Sequence, residues 1–393
     1  MYDVIIIGGL GHIGLPFGIA LADKDLQVTL YDTDPSRRPI VDRGEMPFME
    51  YGAEPILKRV IHKTLHLSTN IRDVADSDTV VITIGTPLDE YMNPRLLPML
   101  SLAEEMIPHL HNGHHVMLRS TVYPGATVRM NDFFESKGLK IHLSFCPERV
   151  VQGQAISEIG GFPQIVSGFT DEAVKRAESM FKKLGSETVV VTVHEAELAK
   201  LFSNAYRYIT FAIANQFHVI ATEHGIDYRQ VYRAFTYNYG RAKALPSPGF
   251  TAGPCLFKDT MQLVAYTQNS FSLGHAATLV NEGLPNFIVQ GLRRQCGDLR
   301  GKQVGILGMA FKADIDDIRD SLSYKLLKIL KFYGASVSCS DEYVKDSGFI
   351  TKEELISTCP IVIVGVPHSA YKKMKIPNET WLVDLWDIIP DHG

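Results

Sequence analysis

The sequence has little cysteine: five residues, Cys146, Cys255, Cys296, Cys339 and Cys359, odd in number, widely separated and without a CxxC pair. That usage argues against a disulfide framework and against a thiolate zinc site, and it fits a reduced compartment. Positive charge is not in surplus either. A formal net charge of -5 argues against nucleic acid or an anionic membrane as the main partner, while leaving room for local basic patches that meet phosphates. No apolar run approaches the roughly 20 residues a membrane helix needs, and MYD leads straight into VIII without a basic leader. A cytoplasmic enzyme with no membrane partner is expected. Low-complexity segments and internal sequence repeats are also lacking.

What is present is an ordinary globular composition, 45% hydrophobic and 21% charged over 393 residues, enough for two or three domains. Short β-branched runs, DVIIIG, QVTLYD, TVVITIG, HHVMLRS, KIHLSF, PQIVSG and ETVVVTV, alternate with longer amphipathic stretches up to residue 194. This rhythm predicts a mostly parallel sheet with helical crossovers. From Glu195 onward Leu198, Leu201, Phe202, Ala205, Ile209, Ile213, Phe217 and Ile220 recur at helical spacing, with neither Gly nor Pro before Gly225. One long helix is predicted. A second helical stretch is expected over 259–294, broken near 269–274, after which KQVGILG, ASVSCSD, PIVIVGV and WLVDLW restore the β/α rhythm around a helix at 322–332. The expected fold is α/β: an N-terminal Rossmann-type doubly wound sheet (1–194), a central all-helical region with one long helix (195–297) and a smaller C-terminal Rossmann-like α/β domain (298–393).

The first strand ends in GGLGHIGLP, where Gly9, Gly11 and Gly14 satisfy GxGxxG and Asp32 closes the second strand 18 residues after Gly14. Glycines at that turn allow a pyrophosphate to approach a helix N-terminus, and the carboxylate can accept hydrogen bonds from a ribose diol. The carboxylate also opposes a 2′-phosphate, so NAD is favoured over NADP even with Arg37 and Arg38 nearby. A second dinucleotide site is not expected in the C-terminal domain, which has a single Gly308 where a fingerprint needs three glycines.

Candidate chemistry comes from three places. On the long helix Lys200 and Asn204 are four residues apart, on one face, opposite the stripe of Leu198, Leu201, Phe202 and Ala205. They read either as a solvated polar face or as donors to a developing oxyanion. Thr121 in RSTVYPG and Glu148 in SFCPERV follow strands, where open α/β sheets take ligands, or they serve ordinary loop capping. Cys255 lies in the glycine-rich loop GFTAGPCLFKD and is either a small core hydrophobe or a nucleophile. A thiolate adding to an aldehyde makes a thiohemiacetal, which a second hydride loss converts to a thioester and water to an acid.

GLGHIGLP, GTPLDE, RSTVYPG, CPERV, ELAKLFSNA, GFTAGPCLFKD and GMAFKADIDDIRDS, in this order across nearly the whole chain, resemble the landmarks of the UDP-glucose and GDP-mannose dehydrogenases. That family oxidises nucleotide sugars to uronic acids with two NAD. The resemblance implies Cys255 as nucleophile, Lys200 and Asn204 as oxyanion holders, Asp259 and Thr121 as water-positioning groups, and Glu148 in proton transfer or thioester hydrolysis. It further implies NAD contacts from Gly9, Gly11, His12, Ile13, Gly14, Asp32, Arg37, Thr86 and Thr121. UDP-sugar contacts are implied for Glu148, Arg149, Lys200, Asn204, Gly249, Phe250 and Lys312, and a homodimer through the central helix. His12 stands where the family often has tyrosine, Thr251 and Ala252 replace part of a glycine run, and Phe257 replaces a common proline. CPERV is similar to enzymes acting on UDP-N-acetylhexosamines and CLFKD to those acting on UDP-glucose, so the two motifs point to different sugars. Rival readings are a two-electron 3-hydroxyacid-type dehydrogenase, which needs neither Cys255 nor a second α/β domain, and a catalytically silent NAD-bound assembly protein.

Overall fold

The computed structural model of the chain describes residues 2–85, 89 and 95–389. They form two compact units, one running to Phe202 and one starting at Ser203. The first is built on eight strands: β1 (Tyr2–Ile7), β2 (Val28–Tyr31), β3 (Leu65–Ser68), β4 (Ser77–Ile82), β5 (His115–Leu118), β6 (His142–Phe145), β7 (Gln164–Gly168) and β8 (Thr188–Val190). Their order is β3-β2-β1-β4-β5-β6-β7-β8, parallel throughout except for the β6–β7 pair. Along β1, Val4 and Ile6 enter one core and Ile5 and Ile7 the other. A strand covered on both faces must be apolar at every position, which is why DVIIIG does not alternate. The order reverses beside β1, so the crevice at the carboxyl ends of β1 and β4 is the topological switch point.

β3 is a strand that the β-branched rhythm does not reveal. It is four residues long, contains His66 and Ser68, and lies at the sheet edge, paired with β2.

The long helix runs Val193–Glu223. Its faces correct the expectation drawn from spacing. Lys200 and Asn204 are buried, beside buried Leu201 and Ala205 rather than opposite them, whereas Phe202 is 57% exposed. Asn204 is inside because Asp259 meets it there, and the outward apolar residues continue with Ile213, Phe217 and Ile220.

In the second unit, helices Tyr228–Thr236, Leu256–Tyr266 and Ser272–Cys296 precede a four-stranded parallel sheet of β9 (Gln303–Leu307), β10 (Ser336–Ser340), β11 (Ile361–Val364) and β12 (Trp381–Val383), ordered β10-β9-β11-β12. The expected break between the two later helices is a turn with Gln268 and Asn269 in the left-handed region, at φ 52° and 65°. The helix Leu322–Phe332 starts where Ser321 accepts the Ser323 N–H. Val304 and Ile306 of β9 pack into one core and Leu307 into another. Among the described residues no helix is long and apolar enough to cross a membrane.

Candidate active site

In the first unit β1 feeds directly into the helix Gly14–Ala22, with Ile13 at its start. A Cβ on Gly9 would sit 2.8 Å from Leu30 Cα, and one on Gly14 would sit 2.4 Å from the Gly8 carbonyl. Both glycines are therefore demanded by the turn's own packing. A Cβ on Gly11 would meet only the Gly8 carbonyl, at 3.2 Å. The space over Gly11 is what a pyrophosphate needs for close approach, so the turn fits a dinucleotide. Asp32, half-buried after β2, accepts the Leu10 N–H at 2.9 Å on Oδ2 and the Asp34 N–H at 3.0 Å on Oδ1. A carboxylate has about four lone-pair sites, so two remain for ribose hydroxyls. Arg37 donates to the Leu10 carbonyl at 3.0 Å and lies 3.7 Å from the Asp34 carboxylate, so its charge is committed to protein oxygens. The His12 ring packs, tilted, on Phe48 with centroids 3.9 Å apart, and its Nδ1 lies 3.1 Å from the Gln152 amide. Thr86 lies outside the described residues.

Thr121 follows β5, half-buried, and Glu148 follows β6, buried. Glu148 Oε1 accepts the N–H groups of Arg149 (2.7 Å) and Val150 (3.0 Å), and Oε2 accepts from the fully buried Arg119. Burial raises the Glu148 pKa, but the Arg119 guanidinium and the two amides outweigh it and hold the carboxyl below its usual range. Arg119 itself lies over the rings of Phe17 and Phe181, at 4.4 and 5.0 Å. Arg149 donates to the Pro163 carbonyl and crosses the Phe162 ring at 5.2 Å. Lys200 is buried in this unit, one turn after Glu197, whose carboxylate accepts the N–H groups of Gly125 (2.7 Å) and Thr127 (3.0 Å) and caps the helix Ala126–Ser136.

In the second unit the loop GFTAGPC is held at both ends. Asn215, fully buried on the long helix, accepts the Gly249 N–H at 2.7 Å and donates to the Gly249 carbonyl at 3.1 Å and to Asn281 at 2.9 Å. Gly249 is flush against Trp386, where a Cβ would come within 2.2 Å of the indole, and Phe250 is buried after it. Gly253 has φ 100° and faces Phe311, 2.5 Å from a would-be Cβ. Only glycine fits either place. The loop then delivers Cys255, exposed, as the residue capping the helix Leu256–Tyr266. A helix N-terminus favours the thiolate. Burial pushes the thiol of Cys146 up to about 11. One turn into the helix, fully buried Asp259 accepts from Asn204 Nδ2 at 2.5 Å and lies 3.2 Å from Lys258 Nζ. The Asn204–Asp259 pair thus lies one helical turn beyond Cys255, and Asn204 keeps a second N–H to donate. Lys312 lies on the loop after β9, whose Asp317 is paired with Arg319 at 2.5 Å.

Family models match residues 3–185 (NAD binding domain), 194–283 (central domain) and 305–391 (UDP binding domain) of the UDP-glucose/GDP-mannose dehydrogenase family. The chain belongs to this family. It is an NAD-dependent UDP-sugar dehydrogenase. The chain is 28% identical over 387 residues to the UDP-N-acetyl-D-mannosamine dehydrogenase of Methanococcus maripaludis, covering 95% of this chain and 88% of that one. It is 27% identical over 416 residues to the enzyme of that name from Yersinia pestis, covering 98% of each. The structure of a UDP-glucose dehydrogenase from Pyrobaculum islandicum shares the fold, with a TM-score of 0.88, 24% identity and coverage of 99% and 96%.

Four residues that hold the candidate groups or their supports in place, Arg119, Glu197, Asn215 and Lys258, carry no expectation from the sequence, although three of them lie within the quoted motifs. Arg119 opens the very motif RSTVYPG, and a charged residue ending an apolar strand is the signal that could have revealed it.

Proposed function

We propose that the chain oxidises the C6 hydroxyl of UDP-N-acetylmannosamine to the uronic acid, a four-electron reaction with Cys255 as nucleophile. The sugar follows the names of the two relatives above and the CPERV motif, and the site roles follow the resemblance. The observation that carries the reading is an exposed cysteine at a helix N-terminus, next to a buried Asn204–Asp259 pair.

NAD bound at the Gly9–Gly14 turn supplies the hydride acceptor for both stages. Lys200 and Asn204 donate to the C6 oxygen as negative charge develops on it. The Cys255 thiolate adds to the aldehyde carbon, forming the C–S bond of a thiohemiacetal whose oxygen takes up a proton. Loss of that proton and of a second hydride leaves a thioester. Water placed by Asp259 and Thr121 adds to the acyl carbon and breaks the C–S bond, returning the thiol. Glu148, whose carboxyl the Arg119 guanidinium and two backbone amides hold below its usual range, takes part in proton transfer or thioester hydrolysis. Arg149, Gly249, Phe250 and Lys312 contact the UDP-sugar. A homodimer forms through the central helix, where Tyr206, Ile213, Phe217 and Ile220 leave an apolar stripe exposed. The cytoplasm is the compartment in which the thiol remains reduced.

NADH counted per sugar over a panel of UDP-N-acetylmannosamine, UDP-N-acetylglucosamine, UDP-N-acetylgalactosamine, UDP-glucose and GDP-mannose tests the reading. Two NADH and a uronic acid with the first sugar are expected. One NADH would mean a two-electron enzyme, and none with any sugar a silent protein. A Cys255→Ala chain that still forms acid at the wild-type rate would overturn the covalent route.

A further inference from the structure

The loop after β9 carries Lys312 and is pegged from beneath by a histidine that no catalytic step uses. His368 follows β11 and is fully buried. Its Nδ1 accepts the Asp314 N–H at 3.0 Å, and its Nε2 lies 3.1 Å from Asp341 Oδ2. The backbone amide can only donate, so Nδ1 carries the lone pair and Nε2 the proton. Asp314 is a non-glycine residue at φ 57°, and its carboxylate accepts from the Ser369 N–H (2.8 Å) and hydroxyl (2.6 Å). Rings of Tyr343 and Tyr371 close the ring in edge-on, at 5.0 and 5.3 Å. Left-handed backbone at such a residue costs on the order of 1 kcal/mol or more and persists only where its surroundings impose it.

The same loop continues to the nucleophile. Its Phe311 N–H donates to the Asp317 carbonyl at 2.8 Å, the Phe311 ring walls Gly253, and the Gly253 N–H reaches the Asp320 carbonyl at 3.4 Å. What fixes Asp314 therefore fixes both Lys312 and the wall beside the Cys255 loop.

We propose that His368 is a positioning residue for the UDP-sugar, whose Nδ1 acceptor holds the turn at Asp314 in the shape that presents Lys312. This rests on the reading that the loop meets the nucleotide. It requires the acceptor at the Nδ1 position and not merely a ring that fills the core.

Two amide variants separate these demands. In His368→Asn the side-chain oxygen takes the place of Nδ1, whereas in His368→Gln the amide nitrogen takes the place of Nε2 and the acceptor is lost. With the full chain and UDP as probe, calorimetric titration should show His368→Asn within about twofold of wild type. His368→Gln should be weakened by about tenfold, the equivalent of about 1.4 kcal/mol. The KM for NAD should not move in either, and amide hydrogen exchange at 312–316 should speed up in His368→Gln alone. Equal UDP affinity in both variants and wild type, or an equal loss in both, would overturn the proposal. A wild-type chain that does not bind UDP overturns the underlying reading instead, a result visible before either variant is made.

Discussion

At the end of its second strand each of the two sheets places an aspartate that grips the turn after the first strand. Asp32 follows β2 and receives two backbone N–H groups, from Leu10 and Asp34. Asp341 follows β10 and receives four, from Met309 (2.6 Å), Ala310 (3.0 Å), Tyr343 (2.8 Å) and Val344 (2.9 Å), besides His368. Its side chain is completely buried, whereas Asp32 is half-exposed. One position in related architectures thus serves two ends: a carboxylate with capacity left for a ribose, and one saturated by its own chain. The saturated aspartate leaves no such capacity on the smaller sheet, a physical contrast that stands beside its missing glycines.

Four substitutions break or sharpen that contrast. Arg119→Met should have the largest effect, about 3–5 kcal/mol in denaturant unfolding, because it strands the buried Glu148 charge. An effect below 1 kcal/mol would show that Glu148 needs no cation and can take up a proton in the folded chain. Asp341→Asn should cost about 2 kcal/mol at neutral pH. Burial raises the Asp341 pKa, but the His368 ring and the Val344 and Met309 amides hold it at about 2. A depressed pKa gives stability that is present above the unfolded value of about 3.8 and lost as pH falls toward 2. The variant should accordingly show a shallower loss of stability over pH 4 to 2 than wild type, and an unchanged KM for NAD. Asp32→Asn should do the reverse: kcat/KM for NAD falls about tenfold, from loss of charge-assisted bonds to the ribose, with melting temperature nearly constant. If instead Asp32→Asn unfolds the chain and NAD affinity survives, the two aspartates are the same device after all. Glu197→Gln should be the mildest, costing about 1 kcal/mol of stability as a weakened helix cap. It shows that the larger sheet also has a carboxylate consumed by structure.

Which features could be read from sequence follows from how far apart their parts lie. The glycine turn is legible because Gly9 and Gly14 answer to sterics within one strand, one turn and one neighbouring strand. The long helix is legible as a period, and the helix at 322–332 coincides with the observed Leu322–Phe332. Burial of Lys200 and Asn204 was not, since periodicity sees only which residues are apolar. Asn204 is inside because Asp259, 55 residues later, meets it there. Glu197 likewise caps a helix 72 residues upstream, and His368 reaches 54 residues back to Asp314. β3 was missed for a different reason, because four residues with a histidine and a serine carry no pattern and borrow their shape from β2.

Trp386 against Gly249 and Phe311 against Gly253 have a consequence for synthesis. The ribosome makes Cys255 well before either wall of its loop exists. A nascent chain can close the glycine turn and its first sheet while the thiol still sits on an unshaped segment. The loop takes its shape only when Phe311 and Trp386 have docked on its glycines, so on the proposed route an incomplete or C-terminally clipped chain keeps a cofactor fold with an unshaped Cys255 loop. Chimaeras that exchange the C-terminal sheet between relatives should therefore alter the packing of the Cys255 loop without touching its own neighbours in sequence.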